Sequence, residues 1–354
     1  MKCSRWFWAC HSSRSILATF AFTATLYAAE PAAQEEPRES VKSPAPADLQ
    51  SSDLLSKLRF YGEFGPIYLR RQGNESFTFG GVLAPSFDLG WKTGLEARVG
   101  FSLGQFGAEF RWFDVGHVLE GWSDTDVTGK RWLTISQTTG QVTDGFIAML
   151  GSRLQSNFTN MEGNFRWQVH PYVTALASVR FISLRDELAT SFGFSHFNIQ
   201  GLIRPNSANI ETATRNKLWG GQLGIDARLP IMSPKLLAGG TFKLAYLHDS
   251  VDHHLNLVQQ TGSAIHAGGS DGQNSWAIEL GFDGRYNIFP WFSVVFGYQA
   301  LWIQRIAQAA DQVNKLNLNM NNGVLSAPAG LGSINGHSLW FHGPRAAIVF
   351  QLPD

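Results

Sequence analysis

Apolar and polar residues alternate along much of this chain with the period of two that an extended strand imposes. The clearest run extends from Asn216 to Leu229. One parity holds Trp219, Leu223, Ile225, Ala227 and Leu229, and the other holds Asn216, Gln222, Asp226 and Arg228. Successive side chains of a strand point to opposite faces, so this segment has one greasy face and one charged face. Similar runs predict ten strands, at Leu58–Arg70, Gly94–Leu103, Gln105–Val115, Arg153–Gln168, Pro171–Asp186, Thr212–Leu229, Gly239–Asp249, Asn274–Asn287, Trp291–Ile303 and His337–Leu352.

The connections keep a rhythm. Short ones fall around Gly104, at His170-Pro171, over Pro230 to Lys235 and over Asn287 to Pro290. Long ones fall at Arg71 to Thr93, Gly116 to Ser152, Glu187 to Glu211, Ser250 to Gln273 and Gln304 to Gly336. Alternating tight turns and long loops between strands of roughly ten residues is the pattern of a transmembrane up-and-down antiparallel β-barrel, with apolar residues facing lipid and polar ones facing the lumen. An even strand number also returns the C-terminus to the side where the chain entered.

Most faces are clean. The third strand offers Phe106, Ala108, Phe110 and Trp112 outward against Glu109 and Arg111; the eighth offers Trp276, Ile278, Leu280, Phe282 and Tyr286 against Glu279, Asp283 and Arg285. Two strands break the pattern. The fourth changes phase between Phe158 and Met161, which implies either a bulge or an upper half that stands above the membrane. The ninth is apolar on both parities, through Phe292, Val294 and Phe296 but also Val295, Leu301 and Ile303. Aromatics gather near the expected strand ends, with Trp167, Tyr172, Tyr286, Phe289 and Trp291 below and Tyr68, Trp112 and Trp302 above.

Composition supports the same class. Only 16% of the 354 residues are charged, while 13% are aromatic, with 26 Phe and 12 Trp. An ordinary soluble domain carries roughly 25% charged residues. The formal net charge is zero, which gives nucleic acid no electrostatic reason to bind. No apolar run reaches the ~20 residues that a spanning helix needs.

The N-terminus reads as a secretory signal over residues 1–29. Lys2, Arg5 and Arg14 precede an apolar stretch from Ile16 to Ala29 that ends in small residues, with cleavage expected near Ala28 or Ala29. Cys3 and Cys10 both lie inside it, so the exported chain has no disulfide and no thiol chemistry. Residues 30–56 are rich in Ala, Pro, Glu and Ser without periodicity and are expected to form a disordered periplasmic linker ahead of a barrel over 57–354.

The candidate site is the inward face. The lumen-lining candidates are Glu96, Arg98, Glu109, Arg111, Arg166, Arg180, Gln222, Asp226, Arg228, Glu279, Asp283, Arg285 and Arg345. Opposite charges stand two or four apart on one strand in Glu96 with Arg98, Glu109 with Arg111, Glu162 with Arg166, Asp226 with Arg228 and Asp283 with Arg285. Such pairs build either a charge-sorting constriction or a structural lattice that fills a narrow lumen, since barrels of about eight strands are just wide enough to be packed by side chains.

Other chemistry is thinner. His248, Asp249, Asp252, His253 and His254 could supply metal ligands, but as the start of a loop nothing fixes their geometry. The Gly-rich segment Ala267 to Gly272 reads as loop, not as a phosphate cradle leading from strand to helix. No Ser, His and carboxylate constellation is recognisable, so the sequence calls for neither an enzyme nor a cofactor.

Thr214-Arg215-Asn216-Lys217-Leu218-Trp219-Gly220-Gly221-Gln222-Leu223-Gly224 resembles a recurring block of the beta-barrel porin type 7 family of planctomycete-type outer-membrane proteins. Val179 to Leu184 followed by Glu187, Phe296 to Trp302, Ala309 to Gln312 and Phe341 to Ala347 are similar to further blocks in the same order. The resemblance covers about Leu58 to Leu352. It implies an outer-membrane barrel and carries over no catalytic residue and no substrate. The expected function is a narrow porin-like channel for small solutes or ions, in contact with outer-membrane lipid. A closed barrel displaying its loops for surface binding is the alternative, and a soluble secreted β-sandwich is a weaker one.

Overall fold

The computed structural model describes residues 58–73, 78–79, 82–83, 89–122, 132–136, 142–197, 203–231, 233–260, 262, 264–314, 319–321, 324–326 and 336–352. The signal segment and linker expected over residues 1–56 lie outside these residues.

Ten long strands form the barrel: β1 (Leu58–Gln72), β2 (Trp91–Leu103), β3 (Phe106–Trp122), β4 (Val142–His170), β5 (Val173–Phe197), β6 (Ile203–Ile231), β7 (Ser233–Gln259), β8 (Ala264–Phe289), β9 (Phe292–Ala307) and β10 (Gly336–Gln351). Each pairs antiparallel with its neighbours, in the order β3-β2-β1-β10-β9-β8-β7-β6-β5-β4, and a β3–β4 pairing closes the ring. Closure leaves no unpaired edge for the lipid to meet. The fold is a transmembrane up-and-down antiparallel β-barrel. No helix among the described residues is long and apolar enough to cross a membrane.

Both ends of the described chain and the four turns between β2 and β3, β4 and β5, β6 and β7, and β8 and β9 lie at one rim, the lower one here. Leu58 pairs with Leu103 beside the Gly104 turn, and the Leu352 amide donates to the Phe60 carbonyl at 3.0 Å. Gly104 takes φ +60°, which an L side chain rarely adopts, and so permits the tight β2–β3 turn. Across the β1–β10 seam a Cβ on Gly343 would lie 1.8 Å from the Tyr68 carbonyl oxygen, so only glycine fits there.

The outward face is apolar over a band closed by aromatics. Trp167, Tyr172, Tyr286, Phe289 and Trp291 mark its lower edge, as the sequence predicts. Tyr68, Trp91, Trp219, Tyr246, Trp276 and Trp340 mark its upper edge, with Trp112 and Trp302 half-buried beside them. The band needs only ~9–11 residues per strand. Yet β4 and β6 each run for 29 residues, and β7 for 27. The barrel therefore continues above the band as a tall rim.

This corrects two expectations and decides a third between its two alternatives, in favour of an upper half that stands above the apolar band. Residues 187–197, 203–211 and 250–259, expected in long loops, are paired strand, and the β5–β6 and β7–β8 connections are short. Ala267 to Gly272 is part of β8. The phase change in β4 is not a bulge, because the β4–β5 register runs unbroken from Gly151 to Gln168. Phe158 faces inward and Met161 outward: the polarity of the two faces inverts at the upper girdle. Above it, Leu154, Leu188, Ile210, Leu255 and Leu257 point in, while Arg153, Arg185, Arg215 and Asp252 point out. The ninth strand is explained in the same way, since Leu301 and Ile303 are inward and buried.

Candidate functional site: the barrel interior

All thirteen lumen candidates lie on the inward parity of their strands, and the structure sorts the interior into levels. At the lower mouth, Arg228, Asp283 and Arg285 border a vestibule together with Arg98, Glu109, Arg166 and Asp226. Above them Glu96, Arg111, Arg180, Gln222, Glu279 and Arg345 form a lattice with few exposed atoms.

The lattice ties strands across the lumen rather than along one strand. Arg111 on β3 reaches Glu279 on β8, diametrically opposite with four strands between them on either side. It also donates to Glu96 at 2.7 Å, to Glu162 at 3.1 Å and to the Gln299 amide oxygen at 2.6 Å. Arg180 meets Glu279 at 2.9 Å and donates to Gln222 Oε1 at 2.9 Å, while Lys243 Nζ lies 2.5 Å from Glu162. Arg345 contacts Glu63 and, at 3.2 Å, Glu96. A buried charge is tolerated only when paired and hydrogen-bonded, and here each carboxylate sits between cations.

Of the same-strand pairs expected from the sequence, Glu96–Arg98 is made at 2.8 Å and Asp226–Arg228 at 3.5 Å. The other three are not. Glu109 instead takes Arg166 at 2.9 Å and the Tyr61 hydroxyl at 2.6 Å, and Glu162 serves Arg111, Arg180 and Lys243. The reason is geometric. Long Arg, Lys and Glu side chains that project from facing walls of a narrow barrel meet near its axis, so a partner across the lumen competes with one on the same strand. Sequence reading missed Lys243, Glu63 and Gln299. The signal was there for Lys243, which sits between the outward Phe242 and Leu244.

Directly above the lattice lies an apolar layer. Ile67, Leu69, Phe113, Phe158, Ile182, Leu218, Leu247, Leu301, Ile303 and Phe341 are all buried in one cluster. Phe158 on β4 and Phe341 on β10 stack with ring centroids 4.0 Å apart, although β3, β2 and β1 separate them around the ring. At this level apolar side chains from facing walls of the barrel meet across the lumen.

A second polar level follows. Arg71 on β1 spans to Asp186 on β5 with two bonds at 2.6 and 2.8 Å and also reaches Ser156. After Ile303 the β9–β10 register shifts, Arg305 adopts φ +56°, and the chain turns inward. The short helix α1 (Ala309–Asn314) then sits buried, its approach held where Asn216 Nδ2 donates to the Ala307 carbonyl at 2.8 Å. Asp311 on α1 pairs with His337 at 2.7 Å.

The histidine and aspartate cluster does not converge. It lies on β7, where Asp249 and His253 point inward and His248, Asp252 and His254 outward. Among the described residues no group of His, Cys, Asp or Glu could hold a metal ion.

No protein-family model matches the chain, and no curated protein matches it. Among solved structures, outer membrane protease OmpT from Escherichia coli is similar at 12% identity and TM-score 0.45, over 83% of this chain and 96% of that one. The translocator domain of autotransporter NalP from Neisseria meningitidis is similar at 11% identity and TM-score 0.35, over 86% and 95%. The P. putida toluene transporter TodX is similar at 9% identity and TM-score 0.26, over 84% and 90%. The barrel is defined by the chain's own closed strand pairing.

Proposed function

We propose that the protein is an outer-membrane β-barrel with a sealed lumen, non-enzymatic, whose tall polar rim is its working surface. The observation that carries this reading is the apolar layer bridged by the Phe158–Phe341 stack directly above a neutralised ion lattice. An ion on the barrel axis would have to cross both, and leaving water for an apolar layer is costly for a bare charge. The rim supports the second half of the reading, because β4 to β8 carry polar outward faces well beyond the aromatic band. The blocks that resemble the beta-barrel porin type 7 family fall mainly on β5, β6, β9 and β10, at the levels of the lattice and the apolar layer, which fits an interior that matters as a packed unit.

Planar-bilayer recording tests it. The sealed reading expects no steady ohmic conductance from the purified, refolded protein. The second reading, a narrow porin-like channel, is favoured by the polar vestibule at the lower mouth and expects small, reproducible conductance steps. Such steps would displace the sealed reading.

A further inference from the structure

The lower vestibule has a charge imbalance that the lattice above it does not. It is a cavity of about 490 Å³ lined by four arginines, Arg98, Arg166, Arg228 and Arg285, and three carboxylates, Glu63, Glu109 and Asp226; Asp283, two residues from Arg285 on β8, lines the adjoining space and makes no ion pair with Arg285. A volume of this size suits a small ligand. The carboxylates are already held. Glu63 is taken by Arg345 and lies 3.7 Å from Arg98, Glu109 is taken by Arg166 and Tyr61, and Asp226 is taken by Arg166 at 3.1 Å and by Arg228 at 3.5 Å.

Arg285 is different. It is 8% exposed, and its bonds go to neutral oxygens, Asn287 Oδ1 at 3.2 Å and Ser293 Oγ at 3.1 Å. No carboxylate among the described residues makes an ion pair with it. In the same cavity the Arg228 Nε is buried without a hydrogen-bond partner. These two arginines come from β6 and β8, with only β7 between them. A buried cation held by neutral groups, close to a second cation with an unused donor, is a destabilising arrangement unless an anion joins it.

We propose that the vestibule binds a small molecule bearing an oxyanion, phosphate or carboxylate, between Arg228 and Arg285. A planar guanidinium fork matches the geometry of either group and can bond it through two donors. Gln168, Tyr172 and Thr174 line the same cavity and supply neutral donors for the rest of such a ligand. The site opens to the lower rim, so the inference holds whether the lumen above it is sealed or conducting.

The test is isothermal titration of the detergent-folded protein, with its signal segment removed, using inorganic pyrophosphate in one arm and citrate in the other. Saturable binding of at least one probe is expected, weaker at high salt. Arg285→Gln and Arg228→Gln should each weaken it at least tenfold, while Arg185→Gln on the outer rim should leave it unchanged. Circular dichroism checks that each variant keeps its strand content, and if Arg285→Gln does not fold, Arg228→Gln decides. Wild-type protein that binds neither probe, or binding that the vestibule variants leave intact, overturns the proposal.

Discussion

Below the upper aromatic girdle the barrel is apolar outside and charged inside; above it the same strands are polar outside and mixed inside, where Leu188, Ile210, Val251, Leu255 and Leu257 pack among buried Thr, Ser and Asn and the Arg71–Asp186 pair. The β5–β6 and β7–β8 pairings run through both regimes without a register shift, so strand pairing does not mark the boundary between the two halves. What changes is the medium. Lipid offers no hydrogen bonds and selects Leu223, Phe242 and Leu244 outward, which leaves the lattice charges to pair with one another indoors. Water selects Arg185, Arg215 and Asp252 outward and lets Leu188, Val251, Leu255 and Leu257 pack as in a soluble core. The lower half is an inside-out protein, and the upper half is an ordinary one built on the same staves.

The largest effect is expected where a new charge enters the lattice. Gln222 is 3% exposed, accepts from Arg180 and lies 3.4 Å from Glu162. Gln222→Arg adds a cation that no free carboxylate can meet, and breaking the balance of a buried pair costs about 3–5 kcal/mol. Denaturant unfolding in vesicles reads this directly. A loss near zero would mean that the lumen is hydrated at that level and that the lattice is not buried.

The next effect tests the inversion itself on one face of one strand. Leu223 and Ala213 share the outward parity of β6, the first in the apolar band and the second above the girdle. Leu223→Arg should cost roughly 2–4 kcal/mol, as a cation does at a lipid-facing position near the midplane. Ala213→Arg should stay within about 0.5 kcal/mol, as surface changes do. Equal effects at the two sites would erase the boundary that the girdle marks.

A pH-dependent effect comes from Asp249, three residues above Tyr246 on β7 and beyond the membrane band. Burial pushes its carboxyl up to about 7, opposed by the Gln273 amide that donates to it at 3.3 Å. The unfolded chain titrates near 3.9. A raised folded value means that the folded state binds the proton more tightly. Its stabilising share is therefore fully present below about pH 4 and lost as pH rises through about 7. Asp249→Asn should flatten the stability profile across that window, and a profile unchanged by the substitution would place Asp249 in water.

Legibility in the sequence follows the same boundary. The lipid-facing parity was readable because lipid demands an unbroken apolar face, so strand number, ring closure and the inward placement of residues such as Arg111 and Glu279 could be derived from alternation alone. The rim was not, because its alternation continues with reversed sign: Leu188, Ile210 and Leu255 look like lipid-facing residues, and the polar outward partners look like loop. The layering inside was hidden for a related reason. An inward Phe158 or Leu301 is indistinguishable in sequence from an outward one, and which carboxylate meets which arginine across the lumen depends on barrel diameter, which no single strand encodes.

The sealed interior is the centre of this account, and solvent access to the apolar layer tests it most directly. In a background with Cys3 and Cys10 replaced by serine, Leu247→Cys places a thiol in the layer, where Leu247 is fully buried, and Thr174→Cys places one in the vestibule. A membrane-impermeant maleimide added to the folded protein should label the Thr174 site quickly and leave the Leu247 site unlabelled until the barrel is unfolded. Comparable labelling of both thiols in the folded state would contradict a sealed lumen.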